Sequence, residues 1–195
     1  TLFRSTINTY TITYDLGGGT VTPANANPTS YTVETEDITL TNPTKEGFVF
    51  VGWDKEIPST MPNENVTIKA IWKTNQCLVT FDSNGGSEVA DASYNYGALL
   101  SEPTRPTKLG YTFNCWTLND QPYTFVGKTM PASNLNLKAS WLAGNYTVYF
   151  NANASNATGT VASIGAYYDK EFEIPANAYS LTGYTFAGWN AEEDG

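Results

Sequence analysis

Gly47-Phe48-Val49-Phe50-Val51-Gly52-Trp53 decides the fold, because it returns as Gly110-Tyr111-Thr112-Phe113-Asn114-Cys115-Trp116 and as Gly183-Tyr184-Thr185-Phe186-Ala187-Gly188-Trp189. The shared pattern is G-[FY]-x-F-x-x-W, at intervals of 63 and 73 residues. Repetition at these short intervals marks a tandem array of small modules, so function is to be sought in the array.

Other landmarks keep step with this phrase. Tyr10-Thr11-Ile12-Thr13-Tyr14-Asp15 leads into Gly17-Gly18-Gly19, and Cys77-Leu78-Val79-Thr80-Phe81-Asp82 leads into Asn84-Gly85-Gly86. Tyr146-Thr147-Val148-Tyr149-Phe150-Asn151 opens the third copy, which has Asn151 to Asn156 in place of a Gly-Gly turn. Thr60-Met61-Pro62 precedes Trp72, and Thr129-Met130-Pro131 precedes Trp141 at the same spacing. The third copy stops before this element, which predicts a piece cut from a longer protein. The expected division is an extension over residues 1–9 and modules over 10–75, 76–144 and 145–195, the last without its closing strand. Thr1-Leu2-Phe3 is read as a remnant of a preceding module.

Apolar residues fall on alternate positions in the opening strands (Tyr10, Ile12, Tyr14) and in the closing ones (Val66, Ile68, Ala70, Trp72 and Leu135, Leu137, Ala139, Trp141). Period two predicts half-buried β-strands with the tryptophans in the inward row. Asn84-Gly85 predicts a type I′ turn and a hairpin opening each module. Pro43, Pro103, Pro106 and Pro175 exclude a long helix, leaving room for a turn or two near residues 97–102. The fold expected is mainly β, or small α+β, with modules joined by the short linkers Lys73-Thr74-Asn75 and Leu142-Ala143-Gly144-Asn145.

Modules of this size lie near the lower limit for an independent core, so aromatic burial has to carry much of the stability, and the chain is 14% aromatic. A net charge of −9 with ten Lys and Arg argues against nucleic acid or an anionic membrane face as partner. No run of 18 apolar residues and no signal peptide at Thr1 is present, so the piece reads as soluble. Cys77 and Cys115 both lie in the second module, open to two readings: a local disulfide in an oxidising compartment, or two buried thiols.

The ordered set of opening strand, Gly-Gly turn, G-[FY]-x-F-x-x-W, Met-Pro and closing tryptophan resembles the Listeria–Bacteroides repeat, the B-repeat of internalin-type surface proteins. The resemblance covers residues 10–72 and 76–141 in full and 145–189 in part. It implies a β-grasp-like module, a sheet curled around a short helix or loop, set in an elongated tandem array on secreted or wall-attached bacterial proteins. Cys115, standing where the phrase otherwise has glycine, departs from the pattern.

Trp53, Trp72, Trp116, Trp141 and Trp189, with Phe50, Phe113 and Phe186, are read as the structural repeat core and not as sugar-stacking platforms. Tyr167 and Tyr168 are the candidate exposed binding surface, together with Tyr94, Tyr96, Tyr123 and Tyr179, all taken to lie outside the repeat positions. With no histidine in the chain, an imidazole base, a His-based triad and the usual zinc site are excluded. Glu34, Glu36 and Asp37, and Glu192, Glu193 and Asp194, are read as solvated surface, and no metal, cofactor or catalytic residue is assigned. The function expected is a non-enzymatic, monomeric, extracellular stalk or adhesion segment of a bacterial surface protein. The rivals are a glycan- or host-protein-binding module and an accessory domain of a secreted hydrolase.

Overall fold

The computed structural model describes residues 5–56 and 62–192. Met61 of the first Met-Pro landmark, Thr1-Leu2-Phe3, and Glu193 with Asp194 lie outside them. Residues 5–9 form no strand and are exposed.

Eleven strands follow in chain order among the described residues. The first module holds β1 (Tyr10–Asp15), β2 (Ser30–Tyr31), β3 (Phe48–Trp53) and β4 (Val66–Thr74). The second holds β5 (Gln76–Asp82), β6 (Ala92–Asn95), β7 (Tyr111–Leu118), β8 (Gln121–Tyr123) and β9 (Leu135–Ala143). The third holds β10 (Asn145–Val148) and β11 (Ile164–Tyr167). The sheets run β2-β1-β4-β3, β6-β5-β9-β7-β8 and β10-β11, each within one repeat. The fold is mainly β. The helix allowed near residues 97–102 does not form; Leu99 instead makes an antiparallel bridge to Thr129, and the amide of Met130 bonds the Ala98 carbonyl.

Alternation in the sequence becomes alternation in burial. In β1 only Ile12 is buried, with Tyr10 and Tyr14 half-buried beside it and the threonines outside. In β9 Leu135, Leu137 and Ala139 are buried and Asn136 and Lys138 exposed. In the first module Ile12, Tyr31 and Ile68 form a small core, packed by Tyr14, Ile38, Leu40 and Trp53. The closing strand β4 lies inside the sheet, parallel to β1 (Ile12 opposite Val66) and antiparallel to β3 (Phe50 opposite Trp72). It therefore joins the two ends of its module.

The spacing F-x-x-W follows from a bulge. Three residues apart in a regular strand, Phe50 and Trp53 would point to opposite faces. The register slips between Phe50 and Gly52 against β4, and between Phe113 and Cys115 against β9. One extra residue returns both rings to one face, where Phe50 meets Trp53 at 5.3 Å and Phe113 meets Trp116 at 5.5 Å, edge to face. In the third module Phe186 and Trp189 keep this contact at 5.1 Å, although residues 183–189 form no strand.

The glycine turn seats the closing tryptophan. Asn84 and Gly85 have φ of 50° and 82°, and the amide of Gly86 bonds the Ser83 carbonyl, which is the geometry of a type I′ turn. Gly17 and Gly18 repeat it, with Gly19 bonded to Leu16. This turn does not join paired strands directly, contrary to the simple hairpin expected, because β5 pairs with β6, which begins only at Ala92. It holds an indole instead: Trp72 Nε1 donates to the Leu16 carbonyl at 2.9 Å and Trp141 Nε1 to that of Ser83 at 3.0 Å. A Cβ on Gly19 or Gly86 would stand 2.5 Å from the ring it faces.

The described chain divides into two compact units, one of residues up to Phe81 with 90–103 and 124–137, the other of 82–89, 104–123 and 138 onward. The division does not follow the repeat boundaries.

Gly86→Ala should therefore destabilise the second module by about 1–3 kcal/mol, the usual cost of overpacking. Trp116→Ala, at a side chain only 1% exposed, should cost about 3–5 kcal/mol. Urea unfolding followed by tryptophan fluorescence and circular dichroism measures both.

Candidate functional site: the module junctions and exposed tyrosines

Neighbouring modules are joined by one residue. β4 ends at Thr74 and β5 begins at Gln76, leaving Asn75; β9 ends at Ala143 and β10 begins at Asn145, leaving Gly144. The remaining residues of the expected linkers are strand, because each closing strand continues opposite the start of the aromatic phrase (Phe48 opposite Thr74, Tyr111 opposite Ala143).

At the first junction the Asn75 amide donates to the Gly47 carbonyl at 2.9 Å, and the Tyr96 amide donates to the Asn75 carbonyl at 2.8 Å. At the second, Gly144 donates to Gly110 at 2.7 Å and Tyr168 to Gly144 at 2.8 Å. The Tyr96 ring meets Phe48 edge-on at 5.9 Å, and Tyr168 meets Tyr111 at 5.4 Å. A lysine covers each of these phrase rings, Lys45 Nζ at 4.0 Å from Phe48 and Lys108 Nζ at 4.6 Å from Tyr111. Both ammonium groups also donate to carbonyls of the glycine turn, Gly17 and Asn84. These lysines carry no recognisable sequence signal beyond standing two residues before the phrase glycine, where the third module has Leu181.

Tyr168 is thus half-buried at a junction, which corrects its placement on a free binding surface. Neither Tyr96 nor Tyr168 lies outside the repeat. The pairings Cys77 with Tyr94 and Tyr146 with Ala166 put both two residues beyond an equivalent position. Tyr167, the alternate residue on β11, is 60% exposed, and Tyr146, Tyr149 and Tyr184 are exposed on the same module. Tyr179 is half-buried against Trp189 and donates to the Phe150 carbonyl.

Among the proposed core residues, Trp116 is buried, Trp53, Trp72, Trp141, Trp189, Phe50 and Phe113 are half-buried, and Phe186 is exposed. Phe50 packs on Trp72 and Phe113 on Trp141, so each phrase ring touches both tryptophans of its module. In the third module Val148, Phe150, Phe172, Ile174 and Trp189 line an open groove of about 660 Å³.

Cys77 and Cys115 are free thiols. β9 lies between their strands in the sheet, which keeps them at least two strand spacings, about 9.5 Å, apart. A disulfide needs Cβ atoms within about 4.5 Å. Glu34, Glu36, Asp37 and Glu192 are exposed. Among the described residues no group of three His, Cys, Asp or Glu side chains could hold a metal ion, and no helix is long and apolar enough to cross a membrane.

The sequence profile of the Listeria-Bacteroides repeat domain matches residues 10–71, 78–140 and 146–195. The chain belongs to this family. The three matched stretches each contain one aromatic phrase, and the junction residues Asn75 and Gly144 fall between them. A protein of Evansella cellulosilytica provisionally named a membrane protein is 30% identical over 97% of the chain. Internalin H of Listeria monocytogenes is 34% identical over 68% of it. The chain spans 30% and 25% of the length of those two relatives.

Burial raises the phenol pKa of Tyr14, Tyr31 and Tyr123 above the ordinary 10. Tyr111 at the second junction is raised as well, by burial first and then by the charges of Asp169 and Tyr168. A raised phenol keeps its proton in the folded state while the unfolded chain releases one near pH 10. Stability is therefore complete below about pH 10 and declines above it. The urea midpoint should stay level up to about pH 9 and fall at higher pH, with part of the ultraviolet tyrosinate absorbance appearing only as the protein unfolds.

Proposed function

We propose that these modules form a non-enzymatic, extracellular spacer of a bacterial surface protein, holding other domains at a distance. The observation that carries the reading is the hand-over between modules. A closing strand crosses its own sheet and, after one residue, becomes the opening strand of the next sheet, twice in succession. Such a connection carries tension along the backbone through β1, β4, β5 and β9, each hydrogen-bonded on both edges, as a spacer requires. The recurring tryptophans pack on rings of their own module, consistent with scaffolding in place of stacking on a ligand. Similarity to internalin H and to a relative provisionally named a membrane protein supports a cell-surface setting.

Four exposed tyrosines on the third module, Tyr146, Tyr149, Tyr167 and Tyr184, favour a second reading, in which that module binds a glycan or host protein. Rings of this kind offer apolar area with a polar tip.

Small-angle scattering of the whole chain should give an elongated particle. Deleting residues 76–144 should shorten its maximum dimension by about 25 Å, one strand length. A compact particle, or one that deletion does not shorten, contradicts the spacer. Saturable binding on a glycan array that Tyr167→Ala abolishes would establish the second reading.

A further inference from the structure

The glycine that opens each aromatic phrase has two requirements upon it, and only one comes from its own module. Gly47, Gly110 and Gly183 occupy the same turn: the next amide bonds back to the carbonyl of Lys45, Lys108 or Leu181 at 3.1 Å in each case. Their φ angles are 75°, 76° and 85°, in the region where a side chain is strained. The second requirement is external. A Cβ on Gly47 would lie 2.2 Å from the Tyr96 ring, and one on Gly110 would lie 2.2 Å from the Tyr168 ring. At Gly183 a Cβ would meet nothing within 4 Å. The ring is supplied each time by the following module, from the residue just after the second strand of its first hairpin, β6 or β11. The equivalent residue in the first module, two beyond Tyr31 (opposite Tyr10), is Val33, which is 57% exposed.

We propose that this glycine and the tyrosine of the next module form a clasp that couples neighbouring modules, so that loss of structure in one is felt by the next. Two hydrogen bonds and one ring contact close the clasp in series: phrase-glycine carbonyl to linker amide, linker carbonyl to tyrosine amide, and tyrosine ring packed back onto the glycine and the phrase ring beside it. Opening the turn at Gly47 removes the surface on which Tyr96 rests. Releasing Tyr96 uncovers Gly47 and Phe48 and frees the linker carbonyl. Each half is therefore stabilised by the other, which is the nearest-neighbour interface term of a repeat array. The composition of the first compact unit agrees, since it takes in residues 90–103 along with the whole first module. The inference goes beyond the spacer role, since coupling holds whatever the array carries, and scattering length does not report it.

The test uses the whole chain and native-state hydrogen exchange resolved by residue. Tyr96→Ala should speed exchange of the first-module amides of Phe48 and Asn75 by about tenfold, the scale of one lost aromatic pair. Tyr96→Phe and Val33→Ala should leave them unchanged. Gly47→Ala should accelerate exchange in its own module more than Gly183→Ala does in the third, because Gly183→Ala reports backbone strain without a clash. In the Tyr96→Ala background the excess at Gly47→Ala should vanish, a non-additivity that crosses the repeat boundary. Should Tyr96→Ala fail to fold, the unsubstituted chain still decides: the Gly47 Hα resonance should be displaced upfield by the tyrosine ring. An unshifted Gly47 resonance, equal effects of Gly47→Ala and Gly183→Ala, or acceleration confined to second-module amides would each overturn the clasp.

Discussion

The first two modules depend on a closing strand whose tryptophan is held from two sides. Trp72 and Trp141 stand opposite the phrase phenylalanine across the sheet, and their indole nitrogens donate to a carbonyl of the glycine turn. The turn lies 50 or more residues earlier in the chain, so this one side chain ties the start of the module to its end. Gly19 and Gly86 are required for the same reason, since the ring occupies the space a Cβ would take. With strand, turn and phrase fixed by one contact, a module of about 65 residues achieves closure that its small core would not provide alone.

From that closure follows the geometry of the junctions. Because β4 and β9 run through the sheet and extend opposite the start of the phrase, the chain leaves each module beside its phrase glycine. A single residue, Asn75 or Gly144, is enough to begin the next opening strand, and the next hairpin brings a tyrosine back to the glycine just passed. The lysine two residues before that glycine binds the turn carbonyl and the phrase ring together. The aromatic content therefore serves two purposes: most rings pack within modules, and Tyr96 and Tyr168 pack between them. In the third module Phe186 and Trp189 meet in the same way, Phe150 lies 4.9 Å from Trp189, and an open groove runs beside them.

The repeat, the mainly β fold and the inward row of each strand were legible in the sequence because they are local: period two, glycine turns and a spaced phrase leave their mark along consecutive residues. Membership of the Listeria–Bacteroides repeat family was legible for the same reason, through its landmarks in fixed order. What local pattern did not carry was partnership. The bulge that explains F-x-x-W is a property of β3 against β4. The separation of Cys77 from Cys115 comes from β9 lying between their strands, and the place of Tyr168 comes from a turn nearly sixty residues earlier.

The sequence by itself determined that this chain is built of repeated small β modules and which face of each strand turns inward, since side-chain alternation and turn chemistry are set residue by residue. Only the tertiary structure decided that the closing strand runs parallel to the opening one in the middle of its sheet, and that Tyr96 and Tyr168 belong to junctions. Strand order and register depend on which distant surfaces fit together, and that complementarity is a property of the folded chain in three dimensions.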